Sequence, residues 1–182
     1  MRIKIILSVF IICNSSLLRA QTAPADSIAT IDGNNISLYQ FQPKKIFLVT
    51  MPVSSNEVAA ANAMLLESIY QQYKDNVEFI GVLSSEDGYA DSLLSSIKSW
   101  YRDSLHISFP VTTGINTRNS SGETQHILLK WLSLATLNGH FETVVLGTGQ
   151  KFILDSSGRL ISVLDAATPI NSHLMGRMIS RQ

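Results

Sequence analysis

Residues 45–83 read KIFLVTMPVSSNEVAAANAMLLESIYQQYKDNVEFIGVL, and this stretch decides the fold. Its opening, Lys45 to Met51, holds the apolar run Ile46, Phe47, Leu48 and Val49, with β-branched and aromatic content. Such a run predicts a strand covered on both faces, and therefore a central one. Ala59, Ala63, Leu66, Tyr70 and Tyr73 then recur at helical spacing until the polar break at Lys74, Asp75 and Asn76. Val77 to Leu83 is a second buried-type strand. Strand, helix and strand in this order predict a parallel crossover unit.

Upstream, Ser27 to Leu38 reads as two short strands joined by a turn at Asp32, Gly33, Asn34 and Asn35, residue types that tolerate positive φ. Downstream, Ser92 to Tyr101 is expected to be helical, with Leu93, Leu94, Ile97 and Trp100 on one stripe, and Thr124 to Leu134 forms a further helix. The segment between them is rich in Thr, Asn, Ser and Gly and reads as a loop. Lys151 to Asp155, a turn at Ser156, Ser157 and Gly158, and Leu160 to Leu164 make a β-hairpin signal. A closing helix is expected over residues 170–179.

The first twenty residues carry Arg2 and Lys4, the apolar stretch Ile5 to Cys13, and a small residue at Ala20. That pattern predicts a secretory signal peptide over 1–20 and an exported protein, periplasmic or extracellular. A flexible leader over 21–26 and a single domain over 27–182 are expected to follow. No later segment approaches the roughly 20 apolar residues needed to span a bilayer, so no membrane association is expected after cleavage. Cleavage would lower Lys plus Arg from 14 to 11 against 14 acids, a net charge of about −3, which disfavours nucleic acid as a partner.

Cys13 is the only cysteine, and it lies inside the apolar stretch. A lipoprotein cysteine would need small residues before it, where Ile11 and Ile12 stand. With Cys13 discarded, neither a disulfide nor a cysteine-based metal site is available to the mature chain. His106, His126, His140 and His173 show no pairing at metal-ligand spacing, so they read as surface or loop residues, and neither metal nor cofactor is expected. Gly147-Thr148-Gly149-Gln150-Lys151 lacks P-loop spacing and precedes a strand, so it reads as a turn. Glu86-Asp87 reads as a solvated loop pair, and Trp100 and Trp131 as packing residues.

The order of elements resembles the thioredoxin fold, and particular residues narrow the likeness. Asp32-Gly33 through Ser37-Leu38, then Lys44-Lys45 and an apolar strand, resemble the opening of glutathione peroxidases. The likeness continues in Leu66, Glu67, Tyr70, Tyr73 and Lys74, in Phe79 to Val82, in Phe109-Pro110 and in His126 to Leu132. It is clearest in Lys151 to Asp155, Gly158 and Thr168-Pro169. The resemblance implies an α/β, thioredoxin-like fold: a central mixed β-sheet flanked by helices, with an N-terminal β-hairpin. It also implies peroxidase activity, an oxidoreductase role in oxidative stress.

Members of that family reduce hydroperoxides with a cysteine or selenocysteine just after the first long strand, assisted by glutamine, tryptophan and asparagine. Here the nucleophile position falls at Glu57, or at Asn56 or Ser55 if the alignment slips. The glutamine position falls within Leu83-Ser84-Ser85-Glu86, and the tryptophan-asparagine pair near Gly147-Thr148. None of these side chains supplies the thiolate or selenolate that peroxide reduction requires. The resulting expectation is a pseudoenzyme acting as a binding module toward an unidentified protein or small ligand; the alternative is a peroxidase that keeps its activity by other means.

Ser54-Ser55-Asn56-Glu57 matches a Ser-x-x-Glu capping box, in which Ser54 and Glu57 satisfy amides at a helix start. The same four residues, Ser54, Ser55, Asn56 and Glu57, form the candidate polar-ligand site, because helix amides favour anions, although Glu57 would repel one. No residue is assigned a catalytic role.

Overall fold

The computed structural model describes residues 21–118 and 124–180. The twenty residues read as a signal peptide, Cys13 among them, lie outside the described residues.

Five strands form one sheet: β3 (Lys45–Met51), β4 (Val77–Ser84), β5 (Val111–Ile115), β6 (Lys151–Leu154) and β7 (Leu160–Leu164). Their order is β5-β4-β3-β6-β7, so β3 is central, as its continuous apolar run requires. The β3–β4 and β4–β5 pairs are parallel, and β3–β6 and β6–β7 are antiparallel. A separate antiparallel hairpin of β1 (Ile28–Ala29) and β2 (Asn35–Ile36) precedes the sheet. Its turn uses Gly33 at φ +87°, a value that costs glycine little.

The pleat of β3 explains why no polar alternation is visible in its sequence. Phe47, Val49 and Met51 enter a cluster with Phe79, Tyr101 and Phe109, covered by α1 (Glu57–Tyr73), α2 (Leu94–Ser99) and α5 (His173–Ser180). Ile46 and Leu48 point the other way, toward Leu129, Trp131 and Phe152, beneath α3 (Ile127–Ser133). Both faces are therefore dry, and each apolar position has a layer to bury against. The short α4 (Ala135–Asn138) follows α3, and the buried Asn138 side chain donates to the carbonyls of Trp131 and Phe141 to fix their junction. Among the described residues, no helix is long and apolar enough to cross a membrane.

Three expectations need correction. The segment read as a loop before α3 contains β5. Its Val111 and Thr112 are fully buried because β4 and the hairpin cover them, with Ile31 N donating to Val111 O at 3.0 Å. The helix expected over 92–101 is a 3₁₀ turn at Asp91–Leu93, then α2, then a π-turn at Trp100–Ser104. The π-turn widens the helix by one residue, so Tyr101 becomes fully buried while Leu93 is exposed. The helix expected from Thr124 starts at Ile127, where His126 caps it: its Nδ1 accepts from Leu128 N at 3.2 Å. His126 is accordingly half-buried, and burial lowers its pKa against the opposing pull of Asp26.

Candidate functional site

Three segments converge at the C-terminal end of β3. The first is the loop Pro52 to Asn56, which leaves β3 and enters α1. Burial has a direct hand in its path: the fully buried Tyr101 donates its hydroxyl to Pro52 O at 2.6 Å. Its burial also pushes the phenol pKa well up, so the hydroxyl stays a donor.

The second segment is the turn before β6. Gly147 and Gly149 adopt φ +109° and +94°. Thr50, the last but one residue of β3, fastens this turn. Its hydroxyl donates to Gly147 O at 2.6 Å and accepts from Gln150 N at 2.9 Å, while its carbonyl accepts from Gly149 N at 2.8 Å. The turn expected at Gly147 to Lys151 is therefore present, and it is tied to the central strand. The third segment is residues 165–171, where Asp165 accepts from the amide and hydroxyl of Thr168 at 3.0 and 3.1 Å.

Between them lies a cleft of about 670 Å³, a size typical of small-ligand pockets. Ser54 and Asn56 line it; Ser55 and Glu57 are exposed and do not. The structure thus brings two of the four candidate residues to the cleft. The remaining lining comes from residues the sequence reading passed over as a site, among them Asn62, Leu66, Thr148, Lys151 and Thr168.

The capping box is corrected. Asn56 is the N-cap of α1, and its side chain accepts from Ala59 N at 2.8 Å. The helix begins at Glu57, which places Glu57 in the first helical position and out of reach of the cap residue's own amide. A capping asparagine outcompetes serine here because its carbonyl reaches the third amide from an extended backbone, φ −146° and ψ 167°.

Lys151 is the residue with the least expected setting. It opens β6 opposite Val49, so its side chain shares the α1 face of the sheet. The residue is only 4% exposed, yet its Nζ forms no ion pair with any described carboxylate. It donates instead to Gly149 O at 2.7 Å and Asp165 O at 3.1 Å. Burial lowers its pKa, opposed by the more distant Asp165 charge. The signal in the sequence was a lysine set directly against the apolar run Phe152 to Leu154.

A second polar centre lies at the end of β4. Glu86 and Asp87, expected to be a solvated loop pair, instead sit half-buried in a 3₁₀ turn. Glu86 accepts from Thr117 N at 2.9 Å, Arg118 N at 2.8 Å and the Ser84 hydroxyl at 2.8 Å. Burial alone would raise its pKa; those donors outweigh burial and bring it down to about 2. Asp87 pairs with Arg118. Glu86 is thus a fixed acceptor that joins β4 to the chain leaving β5.

Of the two tryptophans, Trp131 is buried and Trp100 packs against the core from a partly exposed position. Among the described residues, no group of three His, Cys, Asp or Glu side chains is placed to hold a metal ion.

The sequence matches no family model, and no curated protein matches it. Solved structures do. A thiol-disulfide isomerase from Corynebacterium glutamicum is similar over 90% of this chain and 98% of its own, at 17% identity and a TM-score of 0.61. Trgpx in apo form is similar over 88% and 97%, at 19% identity and 0.58. GPX1 of T. cruzi is similar over 85% and 94%, at 14% identity and 0.57. Likeness at these identities shows the fold: the chain has a thioredoxin-like fold, with a mixed five-stranded sheet flanked by helices and a separate two-stranded hairpin. The structures it resembles are peroxidases and thiol-disulfide oxidoreductases.

Proposed function

We propose that this chain is an exported, non-catalytic member of the glutathione peroxidase pattern, a single domain over 27–182 that acts by binding through the cleft beside Ser54 and Asn56. The observation that carries this reading is the chemistry at the end of β3. Thiol-dependent members of this fold need an ionisable sulfur or selenium at the start of the helix. Here the three residues before α1 are Ser54, Ser55 and Asn56, and the one cysteine in the sequence is Cys13. A neutral hydroxyl is a far poorer nucleophile toward a peroxide oxygen than a thiolate.

The rest of the active-site pattern points the same way. Glu86 stands near the glutamine position, but its oxygens are committed to Thr117, Arg118 and Ser84. The tryptophan-asparagine position is a glycine turn fastened to Thr50. What survives is the cleft itself, lined by polar and apolar residues together.

The test is peroxide consumption by the purified protein with thioredoxin or glutathione as reductant. Traces that stay at the no-protein blank are expected. Turnover that persists after thiol blocking would establish the peroxidase alternative instead. Mass spectrometry of the exported form should find its N-terminus at or near Gln21; a lipidated Cys13 would contradict the compartment assigned.

A further inference from the structure

We infer that the cleft is selective for an organic carboxylate with an apolar body, and that Lys151, one of its lining residues, selects it through its ammonium. This rests on the reading of the cleft as a binding site. A buried charge is costly unless it is paired, and lysines are seldom this deeply buried without a carboxylate partner. Lys151 has none within ion-pair distance among the described residues. An ammonium carries three N–H donors, and the carbonyls of Gly149 and Asp165 use two.

The surroundings agree with an acidic head group. Among the described residues, Lys151 is the only charged one lining the cleft; neither Glu57 nor Asp165 does. Asp165 turns its carboxylate to Thr168. The Ser54 hydroxyl and the Asn62 amide add uncharged donors, and Pro52, Leu66 and Ile170 provide apolar wall for the remainder of the ligand. A carboxylate arriving here would complete the ammonium's third bond and place a counter-charge within ion-pair distance.

Two sources share that chemistry, a free aliphatic acid and the C-terminus of an apolar peptide. Titration calorimetry on the purified protein separates them with four probes: octanoate, octanamide, and an apolar pentapeptide with a free or an amidated C-terminus. At least one acid should bind about tenfold to a hundredfold more tightly than its amide, the range expected for a charge-assisted bond. Lys151→Met should abolish that preference, and Asn62→Trp, at an exposed lining position, should block both acid and amide.

Equal affinity for acid and amide in the unaltered protein overturns the inference without any variant being needed, as does failure of every acid to bind. A Lys151→Met protein that folds and keeps the preference also overturns it. In that case the lysine serves only to staple Gly149 to Asp165, and its loss would lower stability alone. Peroxide turnover would sink the non-catalytic reading while leaving acid selectivity intact, so the two failures are told apart.

Discussion

Tyr101 donates its hydroxyl to Pro52 O at 2.6 Å, joining the π-turn after α2 to the loop that leaves the central strand. The two residues are 49 positions apart, and the bond runs from the buried ring to the partly exposed loop. Tyr101→Phe keeps the ring and removes the donor, leaving a carbonyl without its partner. The expected cost is about 1–2 kcal/mol, read as a lower urea midpoint with an unchanged slope. An unchanged midpoint would mean that the loop is held by packing alone.

Replacement of Asn56 distinguishes the observed cap from the one expected. Asn56→Ala should destabilise the protein by about 1 kcal/mol, because the Ala59 amide loses its acceptor. Ser54→Ala and Glu57→Ala should each change stability by less than about 0.5 kcal/mol. If Ser54→Ala were the costly substitution, the helix would be capped two residues earlier than described.

Acid titration should expose Glu86. Its folded pKa is about 2 against an ordinary value of 4.5, so between those values the unfolded chain binds the proton more readily than the folded one. The stabilisation is therefore present above about pH 4.5 and is lost as pH falls toward 2. In Glu86→Gln the dependence of the unfolding free energy on pH should be flatter across that window. Retention of the full slope would assign the acid sensitivity to other carboxylates, such as Asp32 or Asp155, whose pKa values are also lowered.

Gly114 in β5 lies beneath the ring of Tyr89, where an added Cβ would come within 2.1 Å of Cδ1. Gly114→Ala should cost about 1–3 kcal/mol through overpacking. In the double variant with Tyr89→Ala the two losses should fall short of additivity, since the clash is gone. Strict additivity in thermal unfolding would refute the contact.

What could be read from the sequence, and what could not, follows the range of the interactions involved. The order β3, α1, β4 was legible because each apolar run is long and each break, such as Lys74-Asp75-Asn76, is polar. The β6–β7 hairpin was legible because Asp155, Ser157 and Gly158 make their own turn: Asp155 accepts from Ser157 N and Arg159 N at 2.9 and 3.0 Å. β5 was not legible. Val111-Thr-Thr-Gly-Ile has two threonines and a glycine, and its burial is imposed from outside by Ile31 and Tyr89. The cleft was half legible. Ser54 and Asn56 follow a strand and precede a helix, a local signal; Lys151 reaches the same cleft only because β6 pairs with β3 from a hundred residues away. Asp32 was read as a turn residue, yet it also accepts a two-pronged contact from Arg102, at 3.1 and 2.6 Å, which no local pattern announces.

The glycine turn ahead of β6 also bears on whether a peroxidase could be rebuilt on this scaffold. On the proposed reading, Gly147 stands near the place where glutathione peroxidases carry tryptophan, at φ +109°, a backbone setting that side chains with a Cβ rarely tolerate. Grafting a cysteine onto the start of α1 would restore a nucleophile. The aromatic residue beside it would still demand a different main-chain route between Leu146 and Lys151, so a retrofit by single substitutions should stall, and an exchange of the whole loop is the smallest change that could succeed.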